Sequence, residues 1–83
     1  MSHWNYRIVN LTQNPEDPWF EVQEVFYNDD GSIAGFADAY PGDEHPERVI
    51  EVLQRMIDDI KRNPTIVTEK DCVGFATPDD LPF

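Results

Sequence analysis

The sequence predicts one small α+β domain, in which an antiparallel sheet of three strands packs against a single helix, followed by an acidic C-terminal tail. Residues 4–40 alternate between apolar and polar side chains, with a glycine turn near their middle, and residues 45–62 carry apolar side chains at helical spacing. A length of 83 residues permits one domain with a modest core. The predicted order is therefore β-β-β-α, with the domain at residues 1–68 and the tail at residues 69–83.

The first strand is predicted at residues 4–10, whose side chains alternate between two faces. Residues 11–18 contain two prolines and predict a loop. Residues 19–28 are the longest alternating segment and predict the second strand. One face of this second strand is apolar except for Glu24, and the other mixes aromatic and polar residues. Which face of the sheet is buried therefore stays open.

A tight turn at residues 28–31 joins the second strand to a third, predicted at residues 32–40. Gly31 supplies the positive φ that such hairpin turns require. On the third strand Gly35, Ala37 and Ala39 are small. This pattern favours the close approach of a helix to that part of the sheet.

The helix is predicted to begin at His45, with Pro46 at its first position, and to stop at Asn63 and Pro64. Residues 65–68 are rich in β-branched side chains and leave a short fourth strand open, and residues 69–78 read as a connector. The apolar residues expected to face the sheet are Val49, Leu53, Met56, Ile57 and Ile60.

The charge of the chain argues against nucleic acid and membranes as partners. Seventeen acidic residues against six basic ones give a net charge of -11, which repels phosphate backbones and anionic lipids. The same charge speeds association with a basic protein surface. No apolar run reaches the length of a membrane span and no signal peptide is recognised, so a cytoplasmic location is expected.

No constellation of residues indicates catalysis, a metal or a cofactor. His3 and His45 have no partner at metal-ligand spacing, and Cys72 lies next to acidic Asp71, which disfavours a reactive thiolate. The glycines are scattered and form no phosphate-binding loop. We therefore expect a protein that is not an enzyme and that holds neither metal nor cofactor.

The aromatic residues are interpreted mainly as core. An aromatic surface on a basic sheet would suggest stacking on bases, whereas on this acidic chain it indicates a core or a protein-contact patch. The contact patch stays open because one helix cannot cover both faces of a sheet. The residues concerned are Trp4, Tyr6, Trp19, Tyr27 and Tyr40.

The last five residues form a candidate ligand: Asp79, Asp80, Leu81, Pro82 and Phe83. Phe83 can fill an apolar pocket while its α-carboxylate pairs with an arginine at the pocket wall. Asp79 and Asp80 can reach a basic rim, and Pro82 limits the entropy lost on docking. The alternative is that Leu81 and Phe83 fold back into the core of their own domain.

These five residues resemble the C-terminal tip of bacterial single-stranded-DNA-binding protein (SSB), a family that ends in an acidic run followed by an aliphatic residue, proline and phenylalanine. The resemblance implies a partner that reads such tips: a repair helicase, an exonuclease, a recombination mediator or a clamp-loader component. It covers only the chain end, and this chain has two acidic residues where the family commonly has three. The barrel and long linker of SSB have no counterpart here, so direct DNA binding is not implied.

The body of the chain resembles small, acidic, uncharacterised bacterial and phage proteins. The likeness lies in the WNYR-like strand at residues 4–7 and the WFEVQEVFYNDDG-like hairpin at residues 19–31. It covers roughly the first two-thirds of the chain. No known activity comes with this resemblance, so it supports the fold alone.

Two functions follow as hypotheses. The first is a protein-interaction module that presents the SSB-like tip to replication or repair proteins, either as a competitor and inhibitor or as a recruiter. The alternative is a phage-type acidic decoy whose body binds the basic groove of a nucleic-acid-binding protein while the tail only packs. The oligomeric state is left open. The helix carboxylates that would serve the decoy are expected to face water, opposite the apolar stripe: Glu47, Glu51, Asp58 and Asp59.

Overall fold

The computed structural model describes residues 3–75 and confirms the predicted α+β fold. Three strands form one antiparallel sheet in the order β1-β2-β3, and a helix and one 3-10 turn follow. The predicted chain order β-β-β-α is therefore correct. The elements are β1 (His3–Asn10), β2 (Phe20–Tyr27), β3 (Ile33–Asp38), α1 (Pro46–Arg62) and the 3-10 turn Glu69–Asp71.

The turn between β2 and β3 is the one that the sequence predicts. Gly31 has a φ of 88°, a value that a side chain would strain. The amide of Gly31 donates to the carbonyl of Asn28 at 2.9 Å, and the amide of Asn28 donates to the carbonyl of Ser32 at 2.8 Å. β3 then runs only to Asp38, two residues short of the predicted end.

The main cluster of buried residues lies on one face of the sheet, which we call the core face. Val9 of β1 and Val25 of β2 are fully buried there and pack together with Val67. Half-buried side chains complete this cluster: Leu11, Tyr27, Ile33 and Phe36. The opposite face carries Trp4, Tyr6 and Phe26, because the register pairs Trp4 with Phe26 and Tyr6 with Glu24.

The core face is closed by residues 67–74, which run from one edge of the sheet to the other. At the β1 edge, the amide of Val67 donates to Ile8 at 3.0 Å and its carbonyl accepts from Asn10 at 2.8 Å. At the β3 edge, the amide of Val73 donates to the carbonyl of Ile33 at 2.8 Å. The segment that the sequence marks as a possible fourth strand is thus a single bridge, and residues 69–74 beyond it are part of the fold.

Helix α1 packs against β1, at the edge of the sheet. The carboxylate of Asp59 accepts a hydrogen bond from the backbone amide of Tyr6 at 3.0 Å. One turn earlier, the guanidinium of Arg55 lies 4.2 Å from the centre of the Trp4 ring and 5.5 Å from that of Tyr6. The backbone amide of Tyr6 lies on the outer edge of β1, where no further strand pairs with it. The helix therefore covers this edge, and the sheet ends here.

The helix does not approach β3, although the small residues of that strand predict such an approach. A methyl group built on Gly35 would meet nothing within 4 Å, and Ala37 on the same face is exposed. That prediction is wrong because the contacts of α1 are made with β1, and Gly35 lies two strands away. The face opposite the core is consequently open above β3.

The apolar stripe of α1 is only partly buried. Met56 is buried and Val49 and Ile60 are half-buried, as predicted. Leu53 and Ile57 are 43% and 46% exposed, which corrects the prediction that they face the sheet. The apolar arc of the helix is wider than one edge strand can cover, so part of it remains in solvent.

Three of the five aromatic residues expected in the core lie at the surface. Tyr6 is buried and Tyr27 packs on the core, but Trp19 and Tyr40 are 60% and 74% exposed and Trp4 is also exposed. Trp4 points away from the core face, and Trp19 and Tyr40 lie just beyond the ends of β2 and β3. The core prediction is wrong for these three residues.

Candidate functional site

The SSB-like tip lies outside the described residues 3–75. This tip comprises Asp79, Asp80, Leu81, Pro82 and Phe83. The structure instead describes the place where the chain ahead of the tip is held to the sheet.

That place is Gly74, which is fixed to the β3 side of the sheet. Its amide donates to the carbonyl of Ala34 at 3.1 Å, and its carbonyl accepts from the side-chain amide of Asn28 at 2.8 Å. Asn28 is itself buried and also donates to the hydroxyl of Ser32 at 3.0 Å. Gly74 has a φ of 81°, so the chain turns here in a conformation that favours glycine. Nine residues follow this anchor and can reach at most about 30 Å from it.

The structure does not bring the four predicted helix carboxylates to one surface. Asp59 accepts from the amide of Tyr6 and lies 3.8 Å from Nε of Arg55, and its side chain is only 13% exposed. The expectation that it faces water is therefore wrong. Asp58 points elsewhere and accepts from the side-chain amide of Gln54 at 3.0 Å. Glu47, Glu51 and Asp58 remain as the accessible carboxylates of α1.

A second acidic surface, which sequence reasoning missed, surrounds the exposed end of β2. The fully buried amide of Gln23 donates to the carboxylates of Asp38 at 3.1 Å and Glu21 at 3.4 Å. The indole of Trp19 donates to Glu21 at 2.7 Å, and the hydroxyl of Tyr40 donates to Asp38 at 3.4 Å. Two exposed rings are thus tethered beside two carboxylates, a combination suited to contact with a basic protein surface.

The titratable groups of the described chain show no catalytic pairing. Within residues 3–75, no three histidine, cysteine or acidic side chains are grouped so that they could hold a metal ion. Burial, together with the charges of Asp71 and Glu69, raises the pKa of the Cys72 thiol, which disfavours its reactive thiolate form. His45 occupies the N-cap of α1, where its own amide donates to the carboxylate of Asp43 at 2.9 Å.

Tyr6 connects the helix to the sheet electrostatically. Burial raises its pKa, and the charges of Glu24 and Asp59 raise it further, while Arg55 lowers it. A tyrosine whose pKa is higher in the folded state adds stability below the unfolded pKa of about 10. That contribution is lost as the pH rises through the folded pKa.

We expect Arg55→Gln to raise the pKa of Tyr6 above its value in the parent protein, because the positive charge of Arg55, which lowers this pKa, is removed. The tyrosinate absorbance, measured against pH and corrected with a Tyr6→Phe variant, reports this pKa. Arg55→Lys keeps the charge and serves as the control. A pKa unchanged by Arg55→Gln would contradict the geometry.

Comparisons of the chain with protein-family models, curated proteins and solved structures give no match. Within residues 3–75, no helix has the length and apolar character that crossing a membrane demands. The function must accordingly be argued from the residues themselves.

Proposed function

We propose that this protein is a non-enzymatic interaction module that presents residues 79–83 to a pocket that otherwise receives the tip of SSB. The observation that carries the proposal is the sequence Asp79-Asp80-Leu81-Pro82-Phe83. The expected partner is a repair helicase, an exonuclease, a recombination mediator or a clamp-loader component, and the expected consequence is competition with SSB or recruitment.

The described residues 3–75 support this proposal, because they form a folded body with a buried cluster. Val9, Val25 and Val67 form the buried cluster, and residues 67–74 cover it. The anchor at Gly74 then leaves nine residues, enough to carry five ligand residues away from the surface on a short spacer. A fixed anchor limits the volume that the tip explores, which favours a second contact between body and partner.

Each residue of the tip has a distinct role in the proposed complex. In a chain that ends at Phe83, the ring fills an apolar pocket and the α-carboxylate pairs with an arginine. Asp79 and Asp80 contact the basic rim, and Pro82 keeps the peptide extended. A single short peptide of this kind binds in the micromolar range, about -8 kcal/mol.

The acidic body would assist the encounter. A net charge of -11 attracts a basic partner over a distance of about 10 Å at moderate salt. Glu47 and Glu51 on α1 are exposed, and Glu21 and Asp38 lie beside exposed aromatic rings. These surfaces supply the additional contact that a single tip requires against the several tips of an SSB oligomer.

Removal of Phe83 is expected to weaken binding to a tip-reading enzyme at least about 100-fold, because an aromatic anchor and its carboxylate are lost together. Isothermal calorimetry with the purified enzyme measures the change. Adding one glycine after Phe83 keeps the ring but moves the carboxylate, and should weaken binding similarly. Ile66→Ala truncates an exposed apolar side chain of the body outside the acidic surfaces and is the control. Equal affinity of the parent and the chain lacking Phe83 would refute the proposal.

The acidic decoy is the second candidate, and the exposure of Glu47 and Glu51 favours it. Its test neutralises Glu47, Glu51 and Asp58 together and leaves Asp59 intact, because Asp59 holds the helix to β1. The decoy predicts that this variant loses the partner while the chain lacking Phe83 keeps it. The tip hypothesis predicts the reverse: the chain lacking Phe83 loses the partner, and the neutralised variant keeps it.

A further inference from the structure

The exposed apolar side chains of α1 have the spacing of a coiled-coil seam. Ile50, Leu53 and Ile57, which we call the exposed helix stripe, are 71%, 43% and 46% exposed. Their separations of three and four residues, continued by half-buried Ile60, are those of the a and d positions of a heptad. The positions beside the seam on one flank, Val49 and Met56, are turned toward β1, so only the other flank is free.

We propose that the exposed helix stripe is covered by a second copy of this chain, through antiparallel pairing of the two α1 helices with the two-fold axis midway between Leu53 and Ile57. In this register Leu53 packs against Ile57 of the second copy and Ile50 packs against Ile60, each in both directions, because a positions face d positions when two helices run antiparallel. The pairing is self-complementary, as a two-fold interface requires. It is independent of the proposed function and concerns the described residues only.

The charges beside the seam select this orientation. Glu47, Gln54 and Lys61 recur every seven residues on the free flank, at the e positions of the heptad. Antiparallel pairing sets Glu47 of each copy against Lys61 of the other and Gln54 against Gln54. Parallel pairing would instead set this flank against the flank that carries Val49 and Met56, which β1 already occupies, so the charge pairs form only in the antiparallel orientation.

Both charged residues are available for this contact. Glu47 and Lys61 are exposed, and neither forms an ion pair with another residue of the described chain. The flank is therefore neutral in sum, although the whole chain carries -11. Repulsion between two such chains and the short seam limit the dimer to a weak association, with a Kd of about 10–100 µM.

If the tip function holds, the dimer would present two tips from one assembly, and its apparent affinity for a partner with two pockets would rise. This consequence rests on the proposed function, whereas the dimer does not.

Sedimentation equilibrium of the 83-residue chain, from about 5 µM to about 500 µM, tests the pairing. The mass is expected to rise with concentration from 9.6 kDa toward twice that value. Leu53→Glu places a carboxylate in the apolar seam against Ile57 of the second copy, twice in each dimer, and should raise the Kd at least about tenfold. Ile50→Glu should act in the same direction, and Val73→Glu, at an exposed apolar residue far from the helix, should leave the Kd unchanged. A parent chain that stays monomeric, or a Leu53→Glu variant that associates as tightly as the parent, would overturn the proposal.

A charge exchange tests the orientation. Glu47→Lys and Lys61→Glu should each weaken the dimer, and the double variant, whose net charge equals that of the parent, should recover most of the affinity. Circular dichroism checks that the helix survives the exchange, because both parent charges favour its dipole. A double variant that associates no better than the single variants would contradict antiparallel pairing. Removal of residues 79–83 should not change any of these masses, so failure of the dimer and failure of the tip function are distinguishable.

Discussion

Replacing Val67 with aspartate is expected to unfold the domain, whereas the same replacement at its neighbour Ile66 is expected to be tolerated. Val67 is 1% exposed and packs with Val9 and Val25, and Ile66 is 39% exposed. An unpaired carboxylate in this cluster costs several kcal/mol, comparable with the whole stability of a domain of this size. At the exposed neighbour the cost should stay within about 1 kcal/mol.

A milder pair of variants gives the same comparison on folded protein. Val67→Ala should lower the free energy of unfolding by about 2–3 kcal/mol, because it leaves a cavity where residues 67–74 pack against the sheet. Ile66→Ala should lower it by less than about 1 kcal/mol. Urea unfolding followed by tryptophan fluorescence measures both. Equal losses at the two positions would show that residues 67–74 do not close the core.

The anchor of the C-terminal residues gives the second large effect. Asn28→Ala is expected to lower the free energy of unfolding by about 2 kcal/mol, because it leaves the carbonyl of Gly74 and the hydroxyl of Ser32 without the buried donor. Ser32→Ala removes only one of these bonds and should cost less. Hydrogen exchange should also quicken at the amide of Gly74, which donates to Ala34. Unchanged exchange in Asn28→Ala would mean that this side chain does not hold the anchor.

The sequence predicts those parts of the fold that local chemistry decides. Pro46 begins α1 and Asn63 caps it, as their backbone preferences require. Gly31 places the hairpin turn because its φ of 88° is readily available only to glycine. Alternation of side chains places β1 and β2 within one residue of their observed bounds.

The choice of buried face could not be predicted, because it depends on contacts between distant residues. Val67 selects the face that carries Val9 by pairing with β1, and no local pattern near either residue indicates this partner. Asp59 likewise reads as a solvated helix residue, yet it binds an amide 53 positions earlier in the chain. The exposure of Leu53 also depends on contacts between distant residues, because the helix meets only the edge of the sheet.

The candidate tip is a prediction of the sequence alone, and the described structure contributes its anchor. Short linear ligands are recognised by side-chain order, which a sequence shows directly. The acidic surface near Trp19 required the structure, because Glu21 and Asp38 come together only through the pairing of β2 with β3.

Competition for one pocket tests the proposed function most directly. A tip-reading enzyme is loaded with a fluorescent peptide that copies the SSB tip, and the 83-residue chain is titrated against it while fluorescence anisotropy is recorded. We expect the parent chain to displace the peptide at micromolar concentration and the chain lacking Phe83 to leave it bound. Displacement by both chains, or by neither, would contradict presentation of the tip.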